Sequence, residues 1–434
     1  MIKTAKEQLR RHLRISLYSN AYHLMVNQVI GAIGSFIFWI IATRYYSTEA
    51  LGLAGAITSA ISWIASISDF GLSYGVIRFL PNAGHKANRI LNTSFTLYLL
   101  ISILASLIFI SSLALWSPGL LFLRSRVLYL VAFVAFTAFA GWYALLQSVF
   151  IAYRSSKFIS VMSLVVRLVS LPLLILFIFL SNDFAGIVAA QSFATLTCLI
   201  VAGLLFMPKV NKGYLPFPQI NKTVVNDILP YSIRNSIGVF LGAPTTWLLP
   251  VIVLNVLGAE ANAYFYIALT VSTVALMGPT AIATSAFAES SHQDEALLAN
   301  LRRSLKLSII LGLVVVAVIF AFGDKLLLLF GKGYSQSSTT VLWLLSLVVF
   351  PLSINNLYIV YARIRNNFRI IIGTNAAVTI LVLGLTYFLA PKFGLVGVGI
   401  AYLAGYTLVA MGITAMVLWK EPRKKLAIIW GGSV

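Results

Sequence analysis

The sequence predicts an all-α polytopic membrane protein, with twelve transmembrane helices in two pseudo-symmetric six-helix lobes and a central cavity between the lobes. Three observations lead there. Of 434 residues, 60% are apolar and 10% charged, whereas soluble domains carry roughly 25% charged residues. The apolar residues gather into twelve runs of spanning length, and the second half of the chain repeats features of the first. The charge is also lopsided, 31 Lys and Arg against 11 Asp and Glu, or +20. A basic balance ordinarily suggests nucleic acid, but so apolar a chain places its cations in loops, and no nucleic-acid partner is expected.

Each run must close its own backbone hydrogen bonds, because lipid offers none, and about 20 residues suffice to cross. The runs are centred on residues 20–41, 51–77, 92–114, 127–151, 159–180, 185–206, 229–256, 262–286, 305–322, 339–361, 370–389 and 395–419. Tyr45, Tyr46, Trp116 and Trp419 sit at run ends, where amphipathic rings mark the interface. Ahead of the first run, Leu9, Leu13 and Leu17 alternate with Arg10, Arg11 and Arg14. That pattern suits a helix lying on anionic lipid of the inner leaflet. It lacks the short apolar core and cleavage site of a removed signal.

Orientation follows from the loops. Summed over alternate sides, 23 of the 31 cations fall with the two termini, 6 fall opposite, and Arg167 and Arg234 lie inside spans. The positive-inside rule therefore predicts cytoplasmic termini in the cell (inner or plasma) membrane. The longest loop, with Pro208, Pro216 and Pro218, reads as a semi-rigid linker. The expected organisation is an N-lobe over 1–207, a cytoplasmic linker over 208–227 and a C-lobe over 228–434.

The lobes are read as a tandem repeat. Tyr18–Ser19 matches Tyr231–Ser232, and Glu49–Ala50 matches Glu260–Ala261. Ala152 with Lys157–Phe158 matches Ala362 with Asn367–Phe368, and the stretch from Phe184 resembles that from Phe393. The offsets run from 209 to 213. Six spans per unit is even, so the repeats are parallel, an arrangement in which transporters hold substrate between two bundles and rock them alternately open.

Polar residues at depth face a bundle interior or a wet cavity. Helical spacing aligns Asn20, His23, Asn27, Gly31 and Gly34 in the first span, and Ser59, Ser62, Ser66, Asp69 and Ser73 in the second. Ser160, Ser163, Arg167 and Ser170 share a face in the fifth, Arg234, Gly238, Gly242 and Thr245 in the seventh, and Asn262, Tyr266, Thr270 and Thr273 in the eighth. The Ser and Gly members read first as packing seams. Asp69, Arg167 and Arg234 do not, because an ion at depth is costly. Arg78 lies near the cytoplasmic end and has the reach to snorkel. The substrate-binding candidates are Arg78, Arg167, Arg234, Asn20, Asn27, Asn262 and Tyr266. Asp69 and His23 are candidates for coupling to H⁺ or Na⁺, His23 because it titrates near neutrality. On a straight helix Asp69 and Arg78 point to opposite faces, so Asp69 is expected to find its partner in another span, Arg167 among them, or in a bound cation.

Several chemistries are missing. Gly331-Lys332-Gly333 lacks the upstream Gly and following Ser or Thr of a phosphate loop, so no nucleotide cofactor is expected. Four His, a single Cys198 and no paired carboxylates at depth argue against a metal site, a disulfide or acid–base catalysis. The chain is not expected to be an enzyme.

The stretches Thr48 to Gly55 and Ile67 to Leu80, the latter containing Asp69, Gly71, Gly75 and Arg78, resemble the second-span region of Wzx-type polysaccharide-export flippases. These belong to the multidrug/oligosaccharidyl-lipid/polysaccharide (MOP) superfamily. The resemblance implies translocation of a polyprenyl-(pyro)phosphate-linked oligosaccharide to the outer leaflet for O-antigen or other surface-glycan export, with membrane lipid and glycan-assembly enzymes as further partners. It also implies a cationic cavity for the pyrophosphate, a role suited to the planar, permanently charged guanidinium. The alternative within the superfamily is a MATE-like cation-coupled drug antiporter, whose cavity is expected to be acidic. The two extra spans usual in lipid II flippases are not found.

Overall fold

The computed structural model describes residues 16–181, 183–242, 244–290, 297–365 and 367–420; the amphipathic start lies outside them. Among the described residues every regular element is a helix. They are α1 (Ser16–Tyr45), α2 (Thr48–Asp69), α3 (Leu72–Phe79), α4 (Ala87–Ser111), α5 (Val127–Ala152), α6 (Lys157–Leu180) and α7 (Phe184–Val201), then α8 (Lys222–Gly242), α9 (Leu249–Leu257), α10 (Ala259–Ser290), α11 (Leu297–Leu328), α12 (Lys332–Leu347), α13 (Val349–Ile364) and α14 (Phe368–Lys420), with a few single turns between. Eleven stretches among the described residues are long and apolar enough to cross a membrane. The last, Phe368–Val417, covers 50 residues and breaks at Gly394 (φ 58, ψ −140), so it supplies two crossings and the total is twelve. The chain is a multi-pass membrane protein.

Helix starts follow local chemistry. Ser47 accepts from the Ala50 amide at 3.2 Å ahead of α2, and Asp183 accepts from the Ala185 amide at 2.9 Å ahead of α7. Each side chain satisfies a donor that the first turn leaves open. Two helix ends close alike: the Ser155 amide reaches back to the Phe150 carbonyl, and the Asn367 amide to that of Ala362, both at 2.8 Å. These are the closing bonds of a Schellman-type turn.

The second span departs from the straight helix expected over 51–77. Phe70 (φ 44, ψ 22) and Gly71 (φ 76, ψ 13) are both left-handed and separate α2 from α3. Gly71 adopts this at no steric cost, whereas Phe70 carries about 1–2 kcal/mol of strain. Amides freed by the break need acceptors. Asp69 provides one, because its Oδ1 accepts from the Ser73 amide at 3.2 Å and the Ser73 hydroxyl at 2.8 Å. Hydropathy could not reveal this, since the segment is equally apolar straight or bent. The seventh span also has a turn, at Leu248, after which α9 begins with Pro250 in its first turn.

The chain forms two compact units, residues 1–240 and 241–434. The core of the first gathers Leu72 and Val76 of α3 and Leu80 just past it with Leu145 and Val149 of α5, Met162 of α6, Cys198 of α7 and Ile228 of α8. Tyr98 of α4 is fully buried, and its hydroxyl lies 3.2 Å from the Ala65 carbonyl and 3.3 Å from that of Thr137. Gly141 faces the ring so closely that a Cβ there would collide with the phenol.

The predicted linker is not a free tether. Asn88 and Asn92 of α4 donate to the carbonyls of Gly213 and Leu215, at 3.3 and 3.1 Å, while Asn211 donates to Asn88 Oδ1 at 2.8 Å. Further along, the Gln219 and Asn221 amides donate to Thr96 and Thr93, at 3.1 and 3.2 Å. The segment is a strap stapled along the third span. The strap and most of α8 belong to the first unit, so the divide falls within the seventh span, past the linker.

Candidate functional site

The break in the second span opens a cavity of about 310 Å³ within the first unit. Ser66 and Asp69 from the end of α2, Phe70 from the break, Tyr74 from α3, and Ser236 and Phe240 from α8 line it, with Ile67, Ile233 and Ile237 filling between. Gly71 and Gly75 make the geometry possible. A Cβ on Gly71 would run into the Ser232 carbonyl, and one on Gly75 into Ile228 and the Ser232 hydroxyl. Two small residues four apart thus bring α3 and α8 into backbone contact. Phe70 and Phe240 remain more than two-fifths exposed, which leaves their ring faces available. Ser236 donates its own hydroxyl to the Ile233 carbonyl at 3.0 Å, so toward the cavity it acts as an acceptor.

The residues singled out from sequence distribute as follows. Asp69 is in this cavity wall, and its partner is Ser73, on its own span. Arg78 ends α3, exposed, with its guanidinium 5.9 Å over the Tyr231 ring, which also meets Phe79 edge-on at 5.6 Å. Arg167 sits near the middle of α6, half-buried, and its aliphatic stem occupies the space a Cβ on Gly34 of α1 would need. His23 lies on α1, where the Ser160 hydroxyl donates to its carbonyl at 2.7 Å. Asn27, also on α1, is half-buried. Asn262 is fully buried in the first turn of α10, with half-buried Tyr266 one turn on; both belong to the second unit. The side chains of Asn20 and Arg234 lie outside the described residues. Within the first unit Asp69, Arg78 and Arg167 therefore occupy three different settings: a cavity wall, a helix end and a helix–helix seam.

A second, smaller cavity of about 70 Å³ lies in the second unit, lined by Thr245, Asn355, Asn356, Thr374, Asn375 and Tyr406 among others. Asn355 donates to the Tyr406 carbonyl at 3.3 Å, and the Thr245 and Thr379 hydroxyls are 2.7 Å apart. Sequence reasoning passed over Asn355, Asn356 and Asn375, although the rule that flagged Asn27 applies equally to amides in the tenth and eleventh spans. Tyr74, Ser236 and Phe240 carried no such signal, because only the bend brings them together.

A profile of the polysaccharide biosynthesis protein family matches residues 17–288, more than half of the chain. No curated protein sequence matches. Among solved structures, an inward-facing multidrug-resistance MATE family transporter of the MOP superfamily aligns with a TM-score of 0.69 at 14% identity, over 95% of this chain and 100% of that one. The lipid II flippase MurJ, in an inward closed conformation, aligns at 0.68 and 12% identity, over 94% of this chain and 89% of that one. A MOP superfamily transporter from Pyrococcus furiosus, described by a binding pocket of reversed polarity, aligns at 0.61 and 13%, over 94% and 96%. At these identities the likeness is one of fold, and the family is carried by the profile. The chain belongs to the polysaccharide biosynthesis protein family and has the twelve-helix fold of MOP-superfamily transporters.

Proposed function

We propose that the protein flips a polyprenyl-(pyro)phosphate-linked oligosaccharide from the cytoplasmic to the outer leaflet by alternating access, in a cell membrane with both termini cytoplasmic. The observation that carries this reading is Arg167, a cation near the middle of a span in a chain of the polysaccharide biosynthesis family. A guanidinium is always charged and grips phosphate through paired N–H groups. In water-poor surroundings that attraction is strengthened. The chain itself does no covalent chemistry: it offers a path along which headgroup and sugars cross while the polyprenyl tail stays in lipid. Glycan-assembly enzymes on the cytoplasmic face supply the substrate, and H⁺ or Na⁺ gradients are the drives to test.

The test uses purified protein in liposomes loaded with a radiolabelled lipid-linked oligosaccharide, read by its accessibility to an added glycosidase. Arg167→Ala should lower the initial flipping rate about tenfold or more, the scale of one lost charge-assisted contact, with Arg167→Lys intermediate. An unchanged rate in Arg167→Ala would remove this arginine from the path.

The drug-antiporter reading has one observation in its favour, a carboxylate, Asp69, in an aromatic-lined cavity. Uptake of a lipophilic cation driven by an imposed gradient, with no glycan flipping, would establish it instead.

A further inference from the structure

We infer that the cavity at the second-span break is a sugar subsite, taking one or two rings of the glycan and excluding the phosphate that carries them. This rests on the flippase reading above. The first argument is charge. Among the described residues the lining carries one carboxyl group, Asp69, and neither Lys nor Arg, so a phosphate finds no cation here and the headgroup must bind elsewhere.

The second is how Asp69 is held. Its Oδ1 already takes two donors from Ser73, and it stands at the N-terminal end of α3, where a helix end favours negative charge. The carboxyl group is thus hydrogen-bonded within its own span. What it still offers is lone pairs fixed in orientation, which accept hydroxyl protons. Ser236 adds an acceptor, since its own proton is spent on Ile233. Ser66 adds a hydroxyl that both gives and takes.

The third is the mixture of surfaces. A sugar ring has hydroxyls around its rim and C–H groups on its faces. Phe70 and Phe240 offer aromatic faces of negative quadrupole to those C–H groups, with Tyr74 in the same wall. An isoprenoid chain would use the rings and isoleucines but leave Asp69, Ser66 and Ser236 without purpose. At about 310 Å³ the cavity is at the small end of ligand sites, roughly 300–1,000 Å³. It holds a recognition unit, not a whole oligosaccharide.

The experiment is saturation-transfer NMR on the full chain in nanodiscs, with methyl glycosides of glucose, galactose, N-acetylglucosamine, N-acetylgalactosamine and rhamnose as separate probes. Polyprenyl phosphate and rhodamine 6G are run alongside. At least one glycoside should receive saturation. Asp69→Asn keeps an oxygen for Ser73 but loses the charge, and should weaken that glycoside about ten- to a hundredfold while leaving polyprenyl phosphate unchanged. Tyr74→Phe should retain binding and Tyr74→Ala should lose it while polyprenyl phosphate binding stays unchanged in both, which a general packing defect would not produce. Binding of polyprenyl phosphate with no glycoside bound would overturn the subsite and leave the flippase reading standing. Rhodamine 6G binding lost in Asp69→Asn, with neither glycoside nor polyprenyl phosphate bound, would overturn both.

Discussion

At the scale of single residues, the structure depends on a few places where absence of a side chain is the requirement. Gly141 is one, because the Tyr98 phenol occupies the volume its Cβ would take. Tyr98 in turn buries a hydroxyl that reaches carbonyls on two other spans. Tyr98→Phe should therefore cost about 1–2 kcal/mol, seen as a lower melting temperature of the purified protein in detergent. An unchanged melting temperature would mean those contacts are idle. Gly71→Ala should be worse, since it meets both a left-handed φ and the Ser232 backbone. A loss above about 2 kcal/mol is expected, because neither backbone can withdraw cheaply.

At the scale of elements, the strap and the broken second span are where expectation and structure part. The three prolines of the linker suggested stiffness, but gave no sign that Asn88, Asn92, Thr93 and Thr96 form a polar ladder to receive it. That ladder was visible as helical spacing in α4; what was missing was any reason to pair it with a segment more than a hundred residues away. Amide exchange tests the docking. The Gln219 and Asn221 amides should be protected in the native chain, and Asn92→Ala should raise exchange across 213–221. Tyr214, half-buried in the same strap, has its phenol pushed up to about 12 by burial. A raised acid favours the protonated, folded form, so docking should be indifferent to pH below about 10, the unfolded value. It should weaken as pH rises from there through 12, with tyrosinate absorbance appearing as the strap releases.

At the scale of the whole molecule, twelve crossings and their approximate limits were legible, because span length and apolarity are properties of composition. Of the positions read as a repeat, Glu49–Ala50 and Glu260–Ala261 both fall in the first turn of a helix, whereas Tyr231 lies within α8 and Phe393 within α14. The candidate site was legible only in part. Asp69 and Arg167 stood out as ions at depth, yet the cavity depends on two left-handed residues and two glycines, and hydropathy is blind to dihedral angles.

Arg167 resting over Gly34 also bears on how the chain enters the membrane. The fifth span is made with a charge at its centre, a cost of about 2.5–3.5 kcal/mol on insertion scales. The first span, already in place, offers a bare stretch of helix against which the arginine's stem can lie. Assembly of the two spans is thus a step in biogenesis, with the glycine as its receptor. In chains truncated after Leu180 and fused to a topology reporter, Gly34→Leu should lower the fraction of fifth spans that insert. Restoring insertion with Arg167→Leu in the same chain would trace the defect to that one seam.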